Sequence, residues 1–395
     1  MKKTLLAAAL AVGFAGVAQA ETSVTLYGII DTGISYERDK GIIDGVDSNG
    51  DFTRTKATRT GIYDGHNTGQ AGSRWGLKGT EDLGNGLRAE FMLESGFNVT
   101  HGGSMQGGRL FGRQAWVGLA GDNWGSLRFG RQHNVGTDYM LGMVDPFGGG
   151  FGLANGGEAF RAINTNRMDN TIRYDTPNFS GFQFGVAYSF NHDGEQLYKF
   201  SGEDDANNRA VSAAIRYANG PIGVALTYDQ MKNSSNTGYE DVTLRQWNLG
   251  ASYDFEVVKV SAAFGQTRNG EFGGGRGLWT IGPVVTPYTY TVAPYDDGAK
   301  SNSYLVGLSA PVGAGTVMAS WTMVDPRGKS DRIRDLEDAL GESIDFKKQH
   351  TYALGYKYPL SKRTDVYAYG AYKKNVDFVR HQKSTTVAAG ITHRF

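Results

Sequence analysis

The sequence predicts an all-β fold, a closed transmembrane antiparallel β-barrel of 16 strands with short periplasmic turns and long extracellular loops. Three observations predict it. Apolar residues recur at every second position almost throughout the chain after residue 21, the period of a strand with two unlike faces. The connections alternate between short Gly/Pro/Asn turns and long polar stretches. The one long apolar run, Leu5 to Ala18, is too short to cross a bilayer as a helix, which takes about 20 residues.

That run belongs to the first element. Lys2 and Lys3 make a positive start, Leu5 to Ala18 an apolar middle, and Ala18-Gln19-Ala20 a small-x-small cleavage site. Residues 1–20 are therefore expected to be an export signal peptide, and residues 21–395 the mature barrel domain. The chain has 57 Gly, 9 Pro and no Cys, which excludes disulfide scaffolds, zinc ribbons and thiolate catalysis. Its 40 basic and 40 acidic side chains balance, so net charge gives no support for nucleic-acid binding.

Individual strands can be read directly. Phe182, Phe184, Val186, Tyr188 and Phe190 alternate with small or polar residues, as do Trp247, Leu249, Ala251, Tyr253 and Phe255, and Tyr352, Leu354, Tyr356 and Tyr358. One face is aliphatic in the middle and aromatic toward the ends; the other is small or polar. Seven short turns follow: 83–86, 120–125, 177–181, 219–221, 254–257, 311–315 and 359–362. Eight long polar stretches lie between them: 37–72, 99–109, 133–166, 192–208, 231–242, 267–300, 325–347 and 374–383. Seven turns and eight loops join sixteen strands. Closure is the physical reason for such a design, because in hydrocarbon no strand edge can be left unpaired. Sixteen strands enclose more space than side chains alone can fill. Within 325–347, Ile333, Leu336, Leu340 and Ile344 have helical spacing, which predicts a short helix over 331–344 capped by Asp331.

Alternation also assigns faces. Trp75 and Leu77 point outward, so Arg74 and Lys78 point into the lumen. Leu87, Phe91 and Leu93 point outward, leaving Arg88, Glu90 and Glu94 inside. Ile172 and Tyr174 point outward, leaving Arg167, Asp169, Arg173 and Asp175 inside. Arg113 shares the phase of Ala115 and Val117 and has no clear inward assignment. No GxGxxG, Walker, HExxH or GxSxG pattern occurs, and the seven His show no metal-ligand spacing, so neither a cofactor nor a metal is expected.

Several blocks carry a resemblance: Ser23 to Asp31 (SVTLYGIID), Ser73 to Glu94 (SRWGLKGTEDLGNGLRAEFMLE), Gly125 to Arg131 (GSLRFGR), Asn170 to Phe184 (NTIRYDTPNFSGFQF) and the ending GITHRF. Spread over the whole mature chain, they resemble the general diffusion porins of Gram-negative outer membranes, nearest the branch that includes anion-selective members. The resemblance implies an outer-membrane homotrimer with one water-filled pore per subunit for ions and small hydrophilic solutes. It also implies a third loop, 133–166, folded inward to narrow the pore. Carried over by local motif, Arg74, Arg113 and Arg167 would form a basic cluster at the constriction, and Glu94 matches an acidic lumen position. Asp145 and Glu158 of the third loop would add to the acidic side of a transverse field. The terminal Phe395 resembles the assembly signal read by the outer-membrane insertion machinery. Lipid and lipopolysaccharide would surround the barrel. A barrel hydrolase and an adhesin or receptor barrel are the alternatives from other classes.

Overall fold

The computed structural model describes residues 23–46, 52–164, 166–202, 205–234, 242–270, 272, 295–341, 343 and 345–395. The proposed signal peptide lies outside these residues. Among the described residues seventeen strands follow one another: β1 (Ser23–Val46), β2 (Phe52–Asp64), β3 (Arg74–Gly84), β4 (Leu87–Gly96), β5 (Gln114–Gly121), β6 (Gly125–His133), β7 (Arg167–Asp175), β8 (Phe182–Ser189), β9 (Arg209–Asn219), β10 (Ile222–Lys232), β11 (Thr243–Asp254), β12 (Lys259–Gly270), β13 (Tyr295–Val312), β14 (Gly315–Gly328), β15 (Gln349–Pro359), β16 (Thr364–Lys374) and β17 (Lys383–Arg394).

From β3 to β17 each strand pairs antiparallel with the next. The ring is closed by β1. Its residues Ile29 to Lys40 pair with β17. Its other edge pairs with β3 over Ser23 to Ile29 and with β2 over Thr32 to Val46. β2 and β3 thus share one position on the wall, so the seventeen strands fill sixteen positions, as alternation predicted. All seven expected turns join consecutive strands. At the first of them Gly84, Asn85 and Gly86 have φ of 85°, 52° and 75°, a left-handed run that Gly and Asn tolerate.

Two expectations need correction. The polar stretch 37–72 is not a loop throughout: β1 runs on to Val46 and β2 returns from Phe52, making a long two-stranded ribbon. Polarity concealed it, but Thr53, Thr55, Thr58 and Thr60 are β-branched and suit a solvated strand. The helix spans Asp331–Leu340, and its N-cap is Ser330, whose side chain accepts from the Ile333 N–H, rather than Asp331.

The outer face is apolar, with Leu226, Leu249, Val306, Leu308 and Leu354 exposed in the middle of their strands. Aromatic pairs flank this band. Phe182–Tyr217 and Tyr253–Phe255 lie by the short turns and Tyr188–Phe190 at the far end of β8, while Trp247, Phe264 and Tyr304 extend from beside Leu249 toward that far side. Such rings sit well at the two membrane–water boundaries.

The buried core is inside the barrel. The third loop, between β6 and β7, folds inward, and Val135, Tyr139, Met140, Val144, Phe147, Phe151, Phe160 and Ile163 are all nearly inaccessible. Burying each large side chain contributes about 1.5–3 kcal/mol. The wall makes room with glycine at inward positions. A Cβ on Gly250 would lie 2.6 Å from Met140 and Val144, one on Gly265 3.2 Å from Phe160, one on Gly307 2.5 Å from Pro146, and one on Gly355 2.9 Å from Phe147. Loop and wall fit as knob and socket along β8 to β15.

This fit makes a prediction. Gly307→Val pushes against the rigid ring of Pro146 and should destabilise the folded barrel by about 1–3 kcal/mol, the cost of overpacking. Urea titration followed by heat-modifiable gel mobility measures it, and an unchanged midpoint would show that the loop yields freely there.

Candidate functional site: the narrowed lumen

The bare part of the wall, β3 to β7, faces the loop-covered part. Arg74 opens β3, and inward alternation carries it into the lumen. Its Nε lies 3.6 Å from Glu94 Oε2. Glu94 sits inward on β4 and accepts a 2.7 Å bond from Arg113 Nε and a 2.9 Å bond from the Tyr27 hydroxyl. Arg113 precedes β5 by one residue, so the pleat does not fix its direction; its backbone N–H donates to the Glu94 carbonyl and its side chain follows. Arg167 opens β7, and the charges of Arg113, Arg131 and Arg74 all reach it.

The three arginines therefore share one stretch of wall, and two more join them that alternation did not reveal. Arg131 Nη1 lies 2.6 Å from Asp169 Oδ1, and Arg109 Nη1 2.8 Å from Asp169 Oδ2. Arg131 has the outward phase of Phe129. A register shift beside Gly130, whose φ is 127°, accompanies its turn toward Asp169. Arg109 is in the connection before β5, where no period exists to read. Among the described residues, the cluster holds five guanidiniums around two carboxylates.

The acidic residues do not form the opposing side that was expected. Glu94 is paired with Arg113 and Arg74 on the basic wall itself, because the β3–β4 register sets it beside them. Asp145 is a buried part of the loop's own turn. Its carboxylate accepts the backbone N–H groups of Phe147 (3.0 Å), Gly149 (2.8 Å) and Gly156 (3.0 Å). Burial pushes its pKa up to about 6 although those three bonds favour the charged form. Glu158 lies 3.8 Å from Arg161 and 3.7 Å from Lys373. With both it lines a cavity of about 310 Å³ between the returning limb of the third loop and β1, β2, β16 and β17. Among the described residues no three His, Asp or Glu side chains are grouped to hold a metal ion.

At the root of the third loop, Arg173 grips Asp175 on its own strand (2.8 Å) and Asp138 in the loop (2.6 Å), while His133 Nδ1 lies 3.1 Å from Asp138. Phe395 ends the chain at the closing seam. Its N–H donates to the Gly28 carbonyl (3.1 Å), the Gly28 N–H donates back (3.0 Å), and its ring occupies the space a Gly28 side chain would need.

Asp145 gives a pH dependence with a definite sign. Its folded pKa of about 6 is above the unfolded value of about 4, so the fold binds its proton more tightly than the unfolded chain does. The contribution is fully present below about pH 4, falls as pH rises to about 6, and is constant above that. Asp145→Asn should flatten this part of the stability curve. Melting temperatures of both proteins from pH 4 to pH 7 check it; parallel curves would show that Asp145 titrates normally.

The comparisons with known proteins agree with the barrel fold. The Gram-negative porin family profile matches residues 7–377. An outer membrane porin protein of Bordetella pertussis is 49% identical over 403 residues, covering 100% of both chains. Outer membrane porin protein 32 of Delftia acidovorans is 34% identical over 387 residues, covering 95% of this chain and 91% of its own. Among solved structures, the anion-selective porin from Comamonas acidovorans has a TM-score of 0.65 at 29% identity, covering 95% of this chain and 100% of its own. The family match takes in the bare basic wall and the loop-lined wall alike, and on it the chain belongs to the Gram-negative porin family, channel proteins of the outer membrane.

Proposed function

We propose that this porin is a passive, anion-preferring diffusion channel for small hydrophilic solutes, assembled as a homotrimer. The observation that carries the preference is the excess of guanidinium groups over carboxylates around Glu94 and Asp169. Arginine keeps its charge and offers forked donors to carboxylate, phosphate and sulfate groups. A local excess of positive charge raises anion concentration in the neck and opposes cations, without tight binding. The likeness to an anion-selective porin at 29% identity supports the same reading. Selectivity then comes from the charged wall around Glu94 and Asp169, rather than from two opposed rows of charge.

Arg74→Gln, Arg113→Gln and Arg167→Gln together should lower the chloride-to-potassium permeability ratio several-fold. The effect should shrink as salt rises, since the screening length is about 10 Å at 0.1 M. Reversal potentials across planar bilayers under a salt gradient measure it. A triple variant that keeps the parent's potential at low salt would remove these residues from the filter.

On the same reading Met1 to Ala20 is cleaved on export, Phe395 is read by the insertion machinery, and the apolar band is set among lipid and lipopolysaccharide. Deleting Phe395 takes away its two backbone bonds to Gly28 at the seam. It should reduce the yield of heat-modifiable oligomer while leaving unit conductance unchanged in the channels that do form. Full assembly without it would end that role, and a stable monomer in mild detergent would count against the trimer.

A further inference from the structure

A second segment also folds into the lumen. Residues Gly65 to Gly72 join β2 to β3 on the inner wall, directly behind the closing seam. Three side chains from the seam hold this segment. The Asp31 carboxylate of β1 has no accessible surface. It accepts bonds from the Tyr367 hydroxyl of β16 (2.5 Å), the Thr392 hydroxyl of β17 (2.6 Å) and the Ala71 N–H of the segment (3.1 Å). The Tyr367 hydroxyl in turn accepts the Gln70 N–H at 3.3 Å, and the Tyr369 hydroxyl donates to the Thr68 carbonyl at 2.7 Å.

The segment's free side carries the tip of the third loop. The Phe151 N–H donates to the Gly69 carbonyl at 2.6 Å. Phe151 is 2% exposed and adopts φ 63°, a strained conformation for a side chain of its size. Its ring meets Tyr367 and Tyr369 edge-on, with centroids 5.1 Å and 5.5 Å away. Gly150 and Gly152 come so close to the Gln70 and Asn67 carbonyls that no side chain fits at either.

We propose that Gly65 to Gly72 is a clip that fixes the tip of the third loop to the closing seam, and that the solute size limit of the pore is set there. Phe151 is the latch, and Asp31 and Tyr367 are positioning residues. The strain at Phe151 persists because the clip and the two tyrosines over-determine it. The clip can form only after β1 has met β17, because Asp31, Tyr367 and Thr392 come from three strands that closure brings together. The loop root, held by Arg173 and Asp138, is independent of closure, so the tip is the part that docks last. This inference rests on the diffusion-channel reading and adds the determinant of its size cutoff.

The test compares Phe151→Ala, Tyr367→Phe and Asp31→Ala with the parent. Far-UV circular dichroism and heat-modifiable mobility first establish that each barrel is closed. Single-channel conductance and swelling of liposomes in sugars of increasing size then read the pore. Phe151→Ala should raise conductance by roughly twofold and admit larger sugars. Tyr367→Phe keeps both rings under Phe151 and removes only the hydroxyl, so it should give a smaller rise with a noisier open level. The Phe151→Ala/Tyr367→Phe double variant should equal Phe151→Ala alone, since both release one latch. Phe151→Leu, which refills the socket, should return most of the parent's cutoff. Closed Phe151→Ala and Tyr367→Phe barrels with the parent's conductance and cutoff would overturn the clip, even if Asp31→Ala fails to assemble. A parent barrel that conducts nothing would instead overturn the channel reading beneath it.

Discussion

Everything in this molecule depends on the pairing of β1. A strand in hydrocarbon cannot leave N–H and C=O groups exposed, so the first and last strands must find each other across the whole chain. β1 meets β17 on one edge and β3 and β2 in turn on the other. The same constraint explains the composition. Once the outer face belongs to lipid, the only water-filled space is the lumen, and charged groups collect there and in the loops. A net charge of zero then says nothing about the pore; what counts is which wall each charge is on.

That wall is divided between two tasks. From β8 to β15 the inward positions shrink to glycine and small residues, and the third loop fills the space with large apolar side chains. From β3 to β7 arginines from strands and connections gather on the lumen side. Glu94 and Asp169 sit among those arginines as partial counter-charges, each shared by two guanidiniums. Sharing lets like charges stand close together at tolerable cost.

Much of this was legible in the sequence because a strand has a period of two. The strand positions, the seven turns, and the inward faces of Arg74, Glu94 and Asp169 follow from counting. Counting fails where the chain leaves the pleat. Arg113 lies one residue outside β5, Arg131 lies beside a register shift, and Arg109 is in a loop; each reaches the lumen for reasons that alternation does not encode. The β1–β2 ribbon was hidden because a solvated strand of Thr, Arg and Lys has no apolar face. Asp145 is an acid in an inward loop, but its three backbone donors come from residues 147, 149 and 156 and appear only when the loop is folded. The clip at Gly65 to Gly72 was inside a polar stretch with no signal of its own; its partners Tyr367 and Thr392 are some 300 residues away.

The glycine seat has a consequence for how such a chain can vary. Pro146 and Gly307, Phe147 and Gly355, and Met140 and Gly250 are cast against each other, volume for volume. A larger residue on the wall is tolerable only if its opposite number in the loop becomes smaller, and a smaller residue in the loop leaves a void that only a larger wall residue can fill. Mutational effects at these paired sites are therefore expected to be strongly epistatic. The arginine wall is coupled by charge rather than by volume: losing one guanidinium leaves Glu94 or Asp169 its second partner, whereas losing both strands a carboxylate. On the proposed reading, preference for charge can shift in single steps along the arginine wall, while the bore of the channel is held nearly constant by sites that must change together or not at all.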